Sequence, residues 1–256
     1  MKRFYKTVQV TSSPRRRPGS LDDCTPASND PGLRRGDVLD YGIALDTRPV
    51  RTPRKALLTL PTNALGEAIA EEWCAQDVEI KPETMRLSGL ANAAIDLIAP
   101  GTKGYAAGLA VYAESDLLCY RADDPPELVV RQLTAWEPLL DWGQMRYDVT
   151  FTRVSGIMHQ AQPAETVSRL AAAIAARNAF ELAALSHIVT ISGSLVIALA
   201  VLEREIEPDA AFDVAHLDEL WQAEQWGEDW MAADARTLRR ADFVSACRFL
   251  RLLNDD

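Results

Sequence analysis

An uncharged stretch of twenty-one residues, Leu182 to Leu202, is the feature that most constrains the fold of this chain. It contains no Asp, Glu, Lys or Arg, and about 20 apolar residues are enough to cross a bilayer. However, His187, Ser192 and Gly193 lie near its centre, where polar groups facing lipid would carry a large cost. We therefore predict a buried helical hairpin or a kinked core helix here, and no insertion into a membrane.

Composition excludes several other classes of protein. The chain has 256 residues, 48% of them hydrophobic, which is enough for one large domain or two ordinary ones. With 27 basic and 37 acidic side chains the net charge is -10, which opposes binding to nucleic acid. The four cysteines form no CxxC pair, so neither a zinc ligand set nor a disulfide framework is indicated. Because the N-terminus also shows no secretory signal pattern, we expect a cytoplasmic protein.

Strand and helix patterns divide the chain into two parts. Two alternating segments before residue 62 predict a small antiparallel sheet. The helical segment that follows places Leu65, Ile69 and Trp73 on one face, so Trp73 is predicted to be a structural anchor. Helical patterns dominate thereafter. We predict an α+β fold, with a small N-terminal antiparallel β-rich domain over residues 1–80 and a larger, mainly α-helical domain over residues 81–256.

Three segments depart from these regular patterns. Residues 11–36 are rich in Pro, Ser, Gly, Arg and Asp, a composition that predicts a mobile loop. Pro138 lies inside a helical pattern that begins at Pro126, and it is predicted to kink or interrupt that helix. Residues 147–154 alternate as a strand does, so they predict either a strand that returns to the sheet or an extended connector.

The sequence contains no recognisable set of catalytic residues. The three histidines, His159, His187 and His216, are far apart and form no HExxH motif. Ser192 and Ser194 lie close to His187, but the GxSxG pattern of an exposed nucleophile is absent. We therefore predict no catalytic residue, no metal site and no cofactor. The alternative is an enzyme of unknown reaction with a spatially assembled site near His187.

The segment LDELWQAEQWGEDW, residues 217–230, gathers three tryptophans among five acidic residues. On a helix Trp221 and Trp226 would lie about 140° apart, so the tryptophans need not form one patch. Gly227 is a natural helix end, and one of the two acidic residues after it would cap the next helix. Trp230 would then enter the first turn of that helix, and we predict that Trp221 and Trp230 anchor the corner between the two helices.

Six motif elements occur in order over nearly the whole chain: RFYK, LDTRPVRTPRKALLTLP, EW, LANAAID, SDLLCYRA and LDELWQAEQWGED. In this order they resemble the Atp-twelve family, the assembly chaperones that hold the alpha subunit of the F-type ATP synthase catalytic head before it meets the beta subunit. Three features depart from the family pattern, and one is Trp230-Met231 after WGED, where the family pattern has smaller or acidic residues. Asp46-Thr47 replaces the usual Asp-Gly of a hairpin turn, and residues 11–36 look like an insertion.

The resemblance implies a chaperone without enzymatic activity, whose partner is the ATP synthase alpha subunit. It also implies that the acidic segment near the C-terminus contains functional residues. The predicted partner-binding residues are Glu219, Gln222 and Glu224, with Trp221 and Trp226 alongside them. For Glu219, the alternative that it simply lies on a solvated helix face is equally open. If Glu219 instead makes a desolvated contact to a cation of the alpha subunit, Glu219→Lys should abolish rescue of that subunit and leave thermal stability nearly unchanged.

Overall fold

The computed structural model describes residues 2–14, 39–156 and 158–254. Its contacts divide the chain into two compact units. The first comprises residues 1–85 together with residues 252–256, and the second comprises residues 86–251. The first unit contains an antiparallel sheet and one long helix, whereas the second is mostly helical, so the predicted α+β fold is confirmed.

The sheet of the first unit is built around one central strand. Its strands are β1 (Val8–Pro14), β2 (Leu39–Leu45), β3 (Arg48–Pro49) and β4 (Thr59–Leu60), and β2 pairs antiparallel with each of the other three. Helix α1 (Asn63–Cys74) packs against β1 and β2 through Leu65 and Ile69, which are fully buried. Gly66 permits this close approach, because a Cβ atom there would lie 3.1 Å from a methyl group of Val10.

Two side chains order the turns and the beginning of the chain in this unit. Asp46 adopts a left-handed conformation (φ 55°), and its carboxylate accepts hydrogen bonds from the backbone of Lys6 and Thr7, both at 3.0 Å. Thus Asp46 itself supplies the positive φ that glycine commonly provides. Trp73 is half-buried, with its ring 5.7 Å from that of Tyr5, whose hydroxyl donates to the Trp73 carbonyl at 2.6 Å.

The prediction of a mobile loop over residues 11–36 is wrong at its start. Residues 11–14 form the second half of β1 and pair with residues 39–42 of β2. Pairing with β2 satisfies the backbone groups that face it, even though the side chains of residues 11–13 are polar and exposed. The rest of the predicted loop, residues 15–36, lies outside the described residues.

The second unit contains nine helices among its described residues, and one pair of very short strands. The helices are α2 (Arg86–Ala93), α3 (Thr102–Ala110), α4 (Pro126–Tyr147), α5 (Ala164–Ala175), α6 (Ala179–Ser192), α7 (Leu195–Leu202), α8 (Pro208–Ala215), α9 (Leu217–Trp226) and α10 (Trp230–Leu252), whose last residue belongs to the first unit. Strands β5 (Tyr120–Arg121) and β6 (Val154–Ser155) pair in parallel.

The uncharged stretch forms two helices in which only His187 and Thr190 are exposed, so the predicted pair of core helices is found. Helix α6 ends at Gly193, which has a φ of 68°, and the Ser194 hydroxyl caps α7 by accepting a hydrogen bond from the Ile197 N–H at 3.0 Å. All residues of α7 except its last are buried. In the part of the chain that the structure describes, no helix is long and apolar enough to span a bilayer.

A buried carboxylate, Asp116, fixes the start of α7. Its side chain is fully buried and accepts hydrogen bonds from the backbone N–H groups of Leu118 (3.0 Å) and Val196 (2.9 Å). Burial raises the pKa of this carboxyl above its usual range, although these hydrogen bonds oppose the shift. Asp116 therefore joins the motif SDLLCYRA to the N-terminus of the most buried helix of the unit.

Helix α4 continues through Pro138, so the predicted interruption does not occur. A proline removes one backbone donor, but Trp136, Leu139 and Leu140 are buried on either side of it. Their packing holds the helical path across the position where one hydrogen bond is lost.

The segment after α4 is mainly an extended connector. Asp148 ends α4 in a left-handed conformation, and from residues 147–154 only Val154 pairs as part of a strand. Side chains take the place of a neighbouring strand here. The backbone N–H of Thr152, for example, donates to the side-chain amide oxygen of Gln162 at 2.9 Å, and the Thr152 carbonyl accepts from the amide nitrogen of the same side chain at 2.8 Å. Of the two predicted alternatives, the extended connector is therefore the one found, and its only strand residue within 147–154, Val154, pairs with β5.

Candidate functional site at the C-terminal corner

We define the C-terminal corner as α9, the connection Gly227–Asp229 and the first three turns of α10, up to Arg240. Gly227 ends α9 with a φ of 87°. The Asp229 carboxylate then caps α10 by accepting hydrogen bonds from the N–H groups of Met231 (2.7 Å) and Ala232 (3.1 Å). The helix end and the acidic cap therefore lie where the sequence predicts them.

Glu219 lies on α9 and is already engaged by two arginines of α10. Its carboxylate accepts two hydrogen bonds from Arg239 (2.9 and 2.8 Å) and one from Arg236 (3.3 Å). Arg236 also pairs with Glu228 in the connection between the helices. Only 13% of the Arg236 side chain is exposed, so this guanidinium is largely withdrawn from solvent. Glu219 thus ties α9 to α10, a role that the sequence does not indicate.

The other two polar candidates lie farther along α9. Glu224 accepts a hydrogen bond from Arg131 of α4 at 2.7 Å, and about half of each side chain is exposed. Gln222 is exposed and lines a shallow depression of about 240 Å³. The lining residues come from both helices and their connection: Glu219, Gln222, Ala223, Trp226, Gly227, Glu228, Asp229, Ala232 and Arg236. The lining contains three carboxylates and one guanidinium, so the depression is acidic.

The three tryptophans of the corner occupy different environments. Trp221 is buried and packs edge to face against Trp226, with ring centroids 5.5 Å apart. Trp226 is 74% exposed. Trp230 is 72% exposed, so the prediction that it anchors the corner is wrong. The reason is the rotation of α10, which turns Ala233, Arg236 and Arg240 toward the rest of the unit and leaves Trp230 about 60° to 120° around the helix from them, where it is exposed.

The residues of the alternative enzyme site have structural contacts. Ser186 donates to the Ala183 carbonyl at 2.8 Å and Ser192 donates to the Ile188 carbonyl at 2.6 Å, while Ser194 caps α7. His187 is exposed on α6. Among the described residues, no group of three or more His, Cys, Asp or Glu side chains is arranged to hold a metal ion. The serines near His187 therefore cap and brace helices.

Comparison with known proteins identifies the family of this chain. A family model described as ATP12 chaperone protein matches residues 2–144, which is more than half of the chain. The mitochondrial protein atp12 of Schizosaccharomyces pombe is 23% identical over 207 residues, covering 76% of this chain and 70% of that protein.

Solved structures match almost the whole chain. The crystal structure of Atp12 from Paracoccus denitrificans is 35% identical with a TM-score of 0.83, and the match covers 98% of both chains. A putative chaperone from Agrobacterium tumefaciens, Atu1473, is 38% identical with a TM-score of 0.84, covering 98% of this chain and 86% of that one. The resemblance found in the ordered motifs is thereby confirmed, and the chain belongs to the ATP12 chaperone family.

Proposed function

We propose that this protein is a chaperone of F-type ATP synthase assembly that binds the free alpha subunit. It protects the beta-facing surface of that subunit from aggregation until the alpha-beta head assembles. The observation that carries the proposal is membership of the ATP12 chaperone family, supported by structural similarity over 98% of the chain. The identity of the client rests on the motif resemblance.

Such a role needs reversible binding and no chemical step. A free subunit exposes the apolar surface by which it later pairs with its neighbour, and an uncovered patch of this kind aggregates. A net charge of -10 keeps copies of the chaperone apart and steers association with a client surface that carries cations. Release then requires only that the alpha subunit binds the beta subunit more tightly than it binds the chaperone.

We assign the client contact to the C-terminal corner. Gln222, Glu224 and Trp226 are accessible on α9 and supply polar, charged and aromatic contacts. Glu219 and Trp221 support these contact residues, because Glu219 holds α9 to α10 and Trp221 packs beneath Trp226. An exposed tryptophan beside an acidic depression suits a client segment with both apolar and cationic side chains.

Co-expression with the cognate alpha subunit tests the proposed function. We expect the alpha subunit to copurify with this protein and to remain soluble in its presence. If the two proteins do not associate, and the alpha subunit aggregates equally with and without this chain, the proposal is wrong.

A pair of charge reversals tests the assigned surface. Glu224→Lys should weaken copurification, because it places a cation where the client is proposed to carry one. Glu165→Lys is the matched control, since Glu165 is also an exposed acidic residue paired with an arginine, on α5. Equal copurification of both variants with the alpha subunit would remove Glu224 from the contact.

A further inference from the structure

The first half of α10 is arranged in the opposite sense to an ordinary surface helix. A surface helix normally turns its apolar stripe toward the core and its charged face toward solvent. Here every residue from Trp230 to Asp242 is at least partly exposed, and burial begins only at Phe243. Ala233, Arg236 and Arg240, on one side of the helix, are the half-buried residues of the first three turns.

Charged contacts hold this half of the helix in place. Arg236 pairs with Glu219 and Glu228, and Arg239 pairs with Glu219. One turn later Arg240 pairs with two aspartates of α8, and its guanidinium lies 4.5 Å from the ring centroid of Phe212. The three arginines of these turns are therefore paired with acidic residues of α8, of α9 and of the connection before α10.

The outer side of the same turns carries large apolar side chains. Trp230, Met231 and Leu238 are 72%, 63% and 61% exposed. At about 100° per residue these three side chains lie within an arc of about 100°, and Asp234 lies in the middle of it. We call Trp230, Met231 and Leu238 the outer stripe. An apolar face kept in water, on a helix whose arginines are turned inward, indicates a surface that another molecule covers.

We propose that the outer stripe is a docking surface for an apolar segment of the client that carries a lysine or arginine opposite Asp234. This inference rests on the proposed function and extends the client contact beyond α9. The tryptophan would supply most of the contact area, since aromatic anchors dominate the energetics of such surfaces. The lysine or arginine of the client would compensate the Asp234 carboxylate, which the client covers when it binds to the stripe.

Area and charge favour a client over a second copy of this chain. The three side chains expose on the order of 400 Å², comparable to the largest apolar patch on a typical monomer. A stable dimer needs about 800 Å² from each partner. A symmetric pair of copies joined at the stripe would also bring two Asp234 carboxylates together, and each copy already carries a net charge of -10. A transient contact with a cation-bearing client avoids both difficulties.

The decisive experiment removes the stripe and leaves the helix in place. The perturbation is a triple variant, Trp230→Ser with Met231→Ser and Leu238→Ser. We measure the chaperone concentration that half-suppresses aggregation of the alpha subunit. We expect it to rise on the order of 30-fold, the loss typical of removing one buried aromatic anchor. Asp234→Lys in the wild-type background should raise it as well.

The matched control removes an equal number of exposed apolar side chains from α4. Val130, Leu133 and Met145 are 61%, 56% and 80% exposed, and their replacement by serine should leave protection unchanged. If the stripe variant and the control variant both protect as well as the wild type, this inference is wrong and the proposed function stands. If the wild-type protein gives no protection, the proposed function and this inference fail together.

A photo-crosslinking measurement avoids dependence on the folding of the triple variant. A benzoylphenylalanine placed at Leu238 should crosslink to the alpha subunit, whereas the same group at Met145 should not. Crosslinking from Leu238 to a second copy of this chain, or to nothing in a mixture where the wild type still protects, would overturn the inference.

Discussion

Reversing the charge of Glu219 distinguishes a residue that touches the client from one that holds the corner together. In Glu219→Lys the new ammonium group would face Arg239 and Arg236, which donate to the carboxylate at 2.8 to 3.3 Å in the wild type. Arg236 would keep Glu228 as its remaining acidic partner. The variant therefore replaces two attractions with two repulsions at the point where Arg236 and Arg239 pair with α9.

Exposure limits the size of this effect. Two unit charges about 4 Å apart interact by about 1 kcal/mol in water and about 4 kcal/mol at the effective dielectric near a protein surface. Arg239 is 44% exposed and Glu219 is 33% exposed, so their pair lies near the lower figure, while Arg236 is only 13% exposed. We expect the free energy of unfolding to fall by about 1 to 3 kcal/mol in Glu219→Lys, and by less than about 1 kcal/mol in Glu219→Gln.

Thermal and urea unfolding of the purified variants measures this loss. For a unit of this size, a loss of about 1 kcal/mol in the free energy of unfolding lowers Tm by about 2 to 4 °C. Glu224→Lys is the matched comparison, because the pair of Glu224 with Arg131 is about half exposed and should contribute less than about 1 kcal/mol. The double variant Glu219→Lys with Arg239→Glu restores one attraction and should recover part of the lost stability.

One outcome would refute the structural role of Glu219. If Glu219→Lys unfolds at the temperature of the wild type but no longer protects the alpha subunit, the ion pairs contribute nothing to the corner. Glu219 would then be a client contact, as the interpretation from sequence allows. A fall in Tm that the compensating substitution at Arg239 partly reverses would instead assign Glu219 to the corner itself.

Three further predictions concern single groups. Asp116→Asn should lower the free energy of unfolding by about 1 to 3 kcal/mol in urea titrations, because one of two buried N–H groups loses its acceptor; a change below about 0.5 kcal/mol would contradict this. Hydrogen bonds from the backbone of Thr7, then Lys6, lower the pKa of Asp46, so the stability it contributes is present above about pH 4 and is lost as pH falls through its lowered folded pKa. Relative to Asp46→Asn, the wild type should therefore lose stability on acidification, and parallel pH curves would disprove the assignment. Burial raises the pKa of the Cys119 and Cys247 thiols to about 12, whereas Cys74 is exposed. Iodoacetamide at pH 8 should consequently label Cys74 of the native protein before Cys119 and Cys247, as peptide mass mapping would show.

Breaks between helices could be predicted from single residues. Gly193 followed by Ser194 divides the uncharged stretch, and Gly227 followed by Asp229 divides the C-terminal segment. In both places a glycine takes a positive φ, and an oxygen-bearing side chain then satisfies the first N–H groups of the next helix. Such signals are local, so they can be recognised in the sequence without knowledge of the tertiary structure.

The orientation of α10 could not be predicted in the same way. Its sequence is amphipathic, and the ordinary rule would turn Trp230 and Leu238 inward. The acidic residues that draw its arginines inward lie elsewhere in the chain, on α8, α9 and their connections. Helical periodicity shows which residues share a face, but it does not show which face meets the rest of the unit. The partners of Glu219, 17 and 20 residues along the chain, were inaccessible to sequence reasoning for the same reason.

Substitutions in the motif residues and in the outer stripe should therefore impair protection of the alpha subunit in different ways. Asp116, within the motif SDLLCYRA, is a buried support, whereas Trp230 is exposed. A protein with about 5 kcal/mol of stability that loses about 3 kcal/mol is still more than about 95% folded at 25 °C. Asp116→Asn should accordingly protect the alpha subunit normally at 25 °C and lose protection only near its lowered Tm. Removal of the outer stripe should weaken protection equally at both temperatures, because it takes away contact surface and leaves the folded population unchanged.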